Sequence, residues 1–447
     1  MTTSTGRPRA VTAPGSHTAA LGGGAPTHFA PVPRLVLLSW GALMLNVLTP
    51  GGAETILPVP RALTQAIAQG ALLVALVLAL LANRRLVVRP HAVLVLLGVL
   101  ALAAFVASLH NEFVVGSVYR GLRLLGFVAV LWLLSPWWGR RDLTLLRAHR
   151  LCLWVVVLSV VIGALIAPGK AFAVSGRLGG TVWPIPPTQV AHYAAVLFGT
   201  TVILWMCRVV SGRHALVGVT VTTAVLIGTH TRTALIGVLL GVLLAGASLF
   251  MGHARVRRVS ASSLVGITAA GFLFAPQLVT WLARGQTAGE ASRLTGRTDV
   301  WTDVFAAQRP LAEQLFGTGL SNKSFDGLAI DSNWVATYVD QGWTGLLIEV
   351  AVLVVLLALA ATHVRGPRRA LAIFLVVYCI VASVTEVGLG DASTYLLDLV
   401  VAGSLLAAAP TVSPSPSAAV APPRGPADGA TSPRVGRSHP SSRRYPR

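Results

Sequence analysis

Charged residues are scarce in this 447-residue chain: only 11% are charged, against 54% that are hydrophobic. A soluble protein of this length has no core large enough to bury so much apolar surface. The composition therefore excludes a soluble globular fold and indicates an integral membrane protein. The formal net charge of +20 is typical of nucleic-acid binding in a soluble chain, but here the arginines lie mostly between apolar segments. We expect membrane lipid, and no nucleic acid, as a partner.

Cysteines and several catalytic signatures are also few or missing. The three cysteines, Cys152, Cys207 and Cys379, lie within or beside apolar segments and form no CxxC or His/Cys cluster. This pattern indicates no disulfide framework and no metal site. The chain has no GxxxxGK[ST], HExxH or GxSxG motif. ATP hydrolysis, zinc proteolysis and serine hydrolysis by those sites therefore have no support.

Apolar segments are what the sequence has in abundance. A membrane-spanning helix needs about 20 apolar residues. Twelve segments are candidates, although the first is marginal and the seventh is short, so eleven spans remain open. We therefore expect an all-α membrane protein with about twelve transmembrane helices. The candidates are 34–50, 62–82, 91–109, 118–138, 151–168, 188–207, 215–229, 233–251, 260–280, 342–362, 370–388 and 392–409.

Basic residues are distributed unevenly between the predicted loops. With the amino terminus inside, the inner loops hold 15 basic residues in 42 positions, whereas the outer loops hold nine in 105. The positive-inside rule then predicts a multi-pass protein of the plasma (inner) membrane with both termini cytoplasmic. The predicted order is a disordered tail (1–33), nine spans (34–280), an external loop (281–341), three spans (342–409) and a second disordered tail (410–447).

The external loop 281–341 is unusually long and polar for this chain. It carries seven carboxylates and five basic residues. Ordering so long a loop costs entropy, so such loops are usually functional, and we interpret it as the catalytic loop of an active site. Residues 298–308 place apolar side chains at helical spacing, which predicts a short interfacial helix. Gly317 and Gly319 predict a tight turn.

Several external arginines are candidates for binding an anionic group. Arg232 lies between two apolar spans with almost no loop, which favours a cation at the mouth of a cavity. Snorkelling to the interface is the alternative. Arg293 and Arg297 are four residues apart and suit bidentate binding of a phosphate, or else pair with neighbouring carboxylates. Arg177, in a loop rich in Gly and Pro, is a further candidate.

The end of the external loop also carries candidate general bases. Asp331, Asp340 and Glu349 follow one another there, and each is either a proton acceptor for a hydroxyl or a structural partner of a loop arginine. His192 and His230 are single histidines at span ends. Such positions are more typical of packed, hydrogen-bonded histidines than of catalysts.

Five motifs, in this order along the chain, resemble the O-antigen ligase and O-antigen polymerase family of bacterial membrane glycosyltransferases. The resemblance covers about residues 35–409 and implies about twelve helices around a cavity open to the outside and to lipid. It also implies transfer without a metal or cofactor, from a polyprenyl-diphosphate-linked glycan to a glycan or lipid-glycan acceptor. A chain-length regulator protein stays open as a partner. The motifs are SGRLGGTVWPIPPTQVAHYAAVL (175–197), THTRTALIGVLLG (229–241), TGRTDVWTDVF (295–305), FGTGL (316–320) and SNWVATYVDQGWTGLLIEV (332–350).

The resemblance also implies roles for individual residues. Arg232 and Arg297 match family arginines that hold the diphosphate. A histidine that precedes the asparagine in the ligase branch is replaced here by Ser332, and serine is no base near neutral pH. Asp331 is then the candidate base, and the change favours a polymerase-like enzyme. The expected substrate contacts are Arg177, Arg293, His230 and Asn333.

A twelve-span transporter or a lipid-carrier flippase for a surface-glycan precursor is the alternative function. A transporter of this kind has two similar halves joined by a long inner loop after the sixth span. Here that loop has seven residues, 208–214, and the long loop follows the ninth span on the outside. The loop pattern therefore favours the glycosyltransferase.

Overall fold

The computed structural model describes most of the chain between residues 31 and 408. Arg293, the tail 410–447, most of the tail 1–33 and most of the ninth predicted span lie outside the described residues. The described residues are 31–48, 54–58, 60–111, 113–140, 142–250, 254–259, 261–262, 273–274, 276–277, 280, 297–321 and 323–408.

The described part of the chain is predominantly helical. A single short hairpin, β1 (Ser324–Phe325) and β2 (Leu328–Ala329), supplies the strands in that part. The helices are α1 (Arg34–Val47), α2 (Arg61–Ala82), α3 (Ala92–Ser108), α4 (Val114–Leu133), α5 (Thr144–Ile166), α6 (Pro168–Ala171), α7 (Pro187–Met206), α8 (Gly212–Thr229), α9 (Arg232–Phe250), α10 (Arg297–Ala306), α11 (Leu311–Phe316), α12 (Asn333–Thr362), α13 (Pro367–Ala382) and α14 (Thr394–Leu406), with a 3₁₀ turn at Ser135–Trp137.

Six of these helices are long and apolar enough to cross a membrane: α2, α4, α5, α7, α9 and α12. Three further apolar helices, α1, α3 and α14, are shorter, with 14, 17 and 13 residues. The prediction of a helical fold is therefore confirmed, and the six helices indicate a membrane protein. Twelve crossings, and the side on which each terminus lies, remain predictions.

The helices pack closely where small residues face large aromatic rings. Gly237 and Gly241 of α9 lie against Tyr378 and Phe374 of α13, and a β-carbon at either glycine would come within 2.9 Å of a ring atom. Small residues of this kind let neighbouring helices approach closely without a hydrophobic driving force from water. The α9–α13 contact holds the two helices whose ends meet at the site described below.

Helix α12 bends sharply at Gly342, whose φ of 63° and ψ of −162° are not helical. The bend removes helical hydrogen-bond partners from nearby carbonyl groups, and buried carbonyls need other donors. Thr318 and Gly319 supply them, because their N–H groups donate to Val339 O and Asp340 O at 3.0 and 2.9 Å. Residues 318 and 319 thus supply the hydrogen bonds that the helix cannot make at its kink.

The segment that fills the kink is the predicted tight turn, which the structure confirms with positive φ values at Gly317 (75°) and Gly319 (89°). A β-carbon at Gly317 would lie 2.3 Å from backbone atoms of Asp340, so only glycine allows this approach. Asn111 Nδ2 donates to Thr318 O at 2.6 Å and fixes the turn to the end of α3. The turn at 317–319 is therefore anchored to two helices.

The predicted short helix at 298–308 is confirmed as α10. Its buried residues, Val300 and Val304, pack with Val335 and Val339 of α12 in a small apolar cluster. Phe305, by contrast, is 62% exposed. One side of α10 is therefore held by the start of α12, and its place at the membrane interface remains a prediction.

Candidate functional site

Four charged side chains from distant parts of the chain come together beyond the ends of the helices. We call Arg177, Arg297, Asp331 and Glu386 the arginine–carboxylate cluster. Arg297 Nε lies 3.1 Å from Asp331 Oδ2. Glu386 interacts electrostatically with the other three, and the two arginines repel one another. Two cations and two carboxylates therefore share one neighbourhood.

Arg177 is held by the junction between α8 and α9. Its Nε donates to Thr229 O at 2.9 Å, and its Nη2 donates to Thr231 Oγ1 at 3.0 Å. A helix ends with carbonyl groups that lack partners, so a guanidinium is favourable there. The next residue, Leu178, donates its N–H to Gly228 O at 2.8 Å and ties the loop to the same helix end.

The surroundings of Arg177 change the pKa of its guanidinium group. Burial lowers the pKa of Arg177, Glu386 opposes this change, and Arg297 adds to it. Arginine nevertheless stays protonated at physiological pH. Glu386 and Asp331 lower the cost of keeping the two guanidinium groups close, and a phosphate has the negative charge to take the place of such a carboxylate.

Arg297 and Asp331 form the more accessible part of the cluster. Arg297 is the first residue of α10, and Asp331 lies just before α12, so the packing of these two helices sets their separation. Their side chains are 27% and 47% exposed. A pair with this much solvent contact contributes little to stability, and its members are free to exchange partners with a substrate.

Glu386 was not among the predicted site residues. It lies in the turn after α13, which ends at Ala382, and it is half-buried. Burial raises the pKa of Glu386 to about 7, with Arg297 and Arg177 lowering it and Asp331 raising it. A carboxyl group with a pKa near neutrality is suited to accept a proton. Its acidic side chain within the predicted 370–388 span was the signal that the sequence offered.

Arg232 and His230 lie at the same helix junction as Arg177. Arg232 begins α9 and is half-buried, and it is already engaged in an interaction. His230 ends α8 in the left-handed conformation, with φ of 50°. The junction is joined to the turn of Glu386, because Thr233 Oγ1 and Thr385 Oγ1 are 2.8 Å apart. Both predicted residues therefore belong to the helix junction that holds Arg177.

Asn333, predicted to contact substrate, is fully buried at the start of α12. Its Nδ2 donates to Glu349 Oε2 at 2.6 Å. Its Oδ1 accepts from the N–H groups of Gly388 and Leu389 at 3.0 and 2.8 Å. The amide thus holds the turn that carries Glu386, and this geometry gives Asn333 a positioning role in place of the predicted substrate contact.

Two other side chains donate hydrogen bonds to the turn that carries Glu386. Gln341 Nε2 donates to Gly390 O at 2.8 Å, and Arg123 Nη2 donates to Ala392 O at 3.4 Å. A β-carbon at Gly390 would lie only 2.2 Å from Glu349 Oε1. Close backbone packing and several donors therefore hold the turn of Glu386 in one position.

The remaining predicted bases are already paired. Asp340 contacts Lys323 Nζ through Oδ2 and accepts from Ser321 Oγ through Oδ1 at 2.7 Å. Burial would lower the pKa of Lys323, but Asp340 and then Asp391 raise it above its ordinary value. Glu349 accepts from Asn333 and from Thr337 Oγ1, the latter at 2.7 Å. Asp340 and Glu349 are therefore structural partners in this conformation.

The cluster combines cations that can bind an anion with a carboxyl group that can accept a proton from a hydroxyl group. Two guanidinium groups can stabilise the negative charge of a phosphate or diphosphate, and a carboxyl group near neutrality stands beside them. The sequence led to both arginines and to Asp331, but not to Glu386. A comparison of the whole chain with models of known protein families and with curated proteins found no match.

Proposed function

We propose that the protein transfers a glycan from a polyprenyl diphosphate to a hydroxyl group of a glycan or lipid-glycan acceptor. The reaction takes place on the outer face of the plasma membrane and polymerises or ligates oligosaccharide units. The observation that carries this proposal is the convergence of Arg177 and Arg297, which are far apart in sequence, on Glu386 and Asp331. The resemblance of five sequence motifs to O-antigen ligases and polymerases supports it independently.

The arginines supply the electrostatic part of the mechanism. As the bond between sugar C1 and the phosphate oxygen breaks, the electron pair leaves with the diphosphate and negative charge grows on its oxygens. Fixed guanidinium groups stabilise that charge without reorganising, and stabilisation of this kind usually contributes most to the rate enhancement of an enzyme. Arg297 and Arg177, with Arg232 at the same helix junction, take this role. No metal is needed in this mechanism.

The acceptor hydroxyl needs a base, and Glu386 suits that role better than Asp331. Asp331 Oδ2 already faces the guanidinium of Arg297 at 3.1 Å. Glu386, with its raised pKa, takes the proton as the acceptor oxygen forms its bond to C1 from the face opposite the diphosphate. The anomeric centre is inverted, the proton resides on Glu386, and the lipid diphosphate departs.

Ser332 favours a polymerase over a ligase. It stands where the ligase branch carries a histidine, and its side chain is buried, with 3% exposure for the residue. A buried serine at this position neither reaches a substrate nor accepts its proton. The acceptor is therefore activated from the turn between α13 and α14, which supports the polymerase-like assignment.

The test is the fate of lipid-linked repeat units in cells that lack the gene. We expect the deletion strain to accumulate a lipid-linked single repeat, detected by mass spectrometry, and to lose long surface polysaccharide. The wild-type gene restores the polymer, whereas Arg297→Ala does not. Arg365→Ala, an exposed arginine in the loop between α12 and α13, is the matched control and restores it. Normal polymer with Arg297→Ala at wild-type protein level would overturn the proposal.

A further inference from the structure

Three ionisable side chains meet inside the helix bundle, away from the arginine–carboxylate cluster. His149 Nε2 of α5 lies 2.8 Å from Asp398 Oδ1 of α14, and His192 Nε2 of α7 lies 3.2 Å from Asp398 Oδ2. None of these side chains is more than 2% exposed. Ionisable groups are costly inside a membrane protein and are usually functional there. The glycosyl-transfer mechanism uses none of the three.

Trp40 determines which nitrogen of His149 carries its proton. The indole Nε1 donates to His149 Nδ1 at 3.2 Å, and an indole nitrogen is a donor only. Nδ1 must therefore accept, so the proton of His149 resides on Nε2, the nitrogen that lies nearest Asp398. A second proton on His149 would sit on Nδ1, where its N–H would point at the indole N–H of Trp40. His149 is therefore the neutral member of the cluster.

Burial then determines the net charge of the remaining pair, Asp398 and His192. With Asp398 ionised and both histidines neutral, the cluster would carry one uncompensated negative charge in the interior. Among the described residues, no Lys or Arg nitrogen lies within 4 Å of Asp398 to balance it. An unpaired buried charge is costly enough that the group takes up a proton instead. One additional proton makes the cluster neutral.

The surroundings of His192 favour it as the carrier of that proton. Three tyrosine rings surround its imidazole, with centroid distances of 5.5 Å to Tyr193, 5.4 Å to Tyr378 and 4.2 Å to Tyr395. These rings are tilted or edge-on to the imidazole and separate it from water. An imidazolium at His192 is therefore stabilised by Asp398 in surroundings of low dielectric constant, where ion pairing is strong.

The charged residue next to His149 is already engaged by another helix. Arg150, the next residue on α5, donates to Thr201 Oγ1 at 3.0 Å. Cys379 of α13 lies with its Sγ 3.8 Å from Tyr395 O. The titratable groups around the cluster are thus tyrosines and one thiol. In the part of the chain that the structure describes, no group of three or more His, Cys, Asp or Glu is suited to hold a metal ion.

We propose that His149, Asp398 and His192 form a buried proton-binding site, in which one proton makes His192 an imidazolium paired with Asp398. The proton is the ligand, and Trp40 prevents its transfer to His149. This inference does not depend on glycosyl transfer.

The test is ¹⁵N nuclear magnetic resonance of the full chain in lipid nanodiscs, with labelled histidine. At pH 8 solvent-exposed histidines are neutral, because their usual pKa is about 6.5. We expect one imidazolium signal to persist at pH 8 in the wild type. The absence of a persistent imidazolium in the wild type would overturn the inference, whatever the variants do.

Variants assign the signal. His192→Gln and Asp398→Asn should each remove the imidazolium, whereas His149→Gln should leave it. His214→Gln, at an exposed histidine in the first turn of α8, is the matched control and should leave it too.

The melting temperature gives a second readout. His192→Gln leaves Asp398 without its counter-ion, so the melting temperature of this variant should fall. The double variant with Asp398→Asn should recover part of the loss. An imidazolium that survives Asp398→Asn would contradict the inference.

Discussion

The two groups of ionisable residues differ in what can reach them. In the arginine–carboxylate cluster the side chains are partly exposed, and the two arginines have more than one carboxylate to face. Asp398 and its two histidines are fully buried, and each carboxylate oxygen lies within 3.2 Å of an imidazole nitrogen. Solvent access decides the difference: an open cluster can exchange a carboxylate for a substrate phosphate, whereas a closed one has space only for a proton.

Glu386→Gln should have the largest effect on the open cluster. The amide keeps the size of the side chain but cannot take the proton of the acceptor. We expect transfer to fall by about 10²–10⁴-fold, the usual contribution of a general base. The base works only when deprotonated, so wild-type activity should rise as pH increases through about 7.

The pH profile separates catalysis from folding. Transfer by Glu386→Gln should be low and should not rise through that range, at a melting temperature close to wild type. A variant with normal activity, or with an unchanged pH profile, would remove Glu386 as the base. Both quantities are measured on the same purified protein in nanodiscs.

Arg177→Ala tests whether the second cation acts on the substrate. Arg177 also closes the end of α8 through Thr229 and Thr231. We expect about a 10- to 100-fold loss of transfer, less than for Glu386→Gln, because Arg297 still faces the diphosphate. Arg177→Lys keeps the charge but loses the planar fork, so it should recover only part of the activity. Wild-type activity of Arg177→Lys would contradict a role for guanidinium geometry.

Asn333→Ala should mainly change stability. It removes the acceptor for two buried N–H groups of the turn and one donor to Glu349. Leaving buried polar groups unsatisfied costs about 1–3 kcal/mol each, so we expect a loss of about 2–4 kcal/mol in the free energy of unfolding. Denaturant titration in detergent measures it, with Phe305→Ala, at an exposed side chain, as the control. An Asn333→Ala protein as stable as that control would exclude the positioning role.

Asp331→Asn should have the smallest effect. Its ion pair with Arg297 is solvent-exposed, and such pairs contribute at most about 1 kcal/mol. If Glu386 is the base, we expect transfer to change by no more than about tenfold, a limit that corresponds to about 1.4 kcal/mol. A loss as large as that of Glu386→Gln, measured in the same assay, would return the role of base to Asp331.

Patterns local in sequence predicted local structure well. The apolar spacing of residues 298–308 led to α10, and the glycines of 316–320 led to the tight turn, because each depends on neighbouring residues. The selection of arginines as candidate site residues also followed from a local feature, a charge beside an apolar span. These signals need no knowledge of how the helices pack.

Contacts between distant segments could not be predicted in the same way. Asn333 meets Gly388 across 55 residues, and Asp398 meets His149 and His192 from a third helix. Their one signal is an acid inside an apolar span, which marks Glu349, Glu386 and Asp398 as unusual without naming their partners. Which partner an acid finds depends on helix order around the bundle, and hydropathy does not encode that order.

The central claim is that the open cluster makes a glycosidic bond. The direct measurement uses purified protein in proteoliposomes supplied with a polyprenyl-diphosphate-linked oligosaccharide, followed by mass spectrometry of the products. The account predicts lengthened or ligated glycan and free polyprenyl diphosphate with the wild type, and neither product with Arg297→Ala. Movement of the intact lipid-linked sugar across the bilayer, with no new glycosidic bond, would contradict it and favour a transporter or flippase.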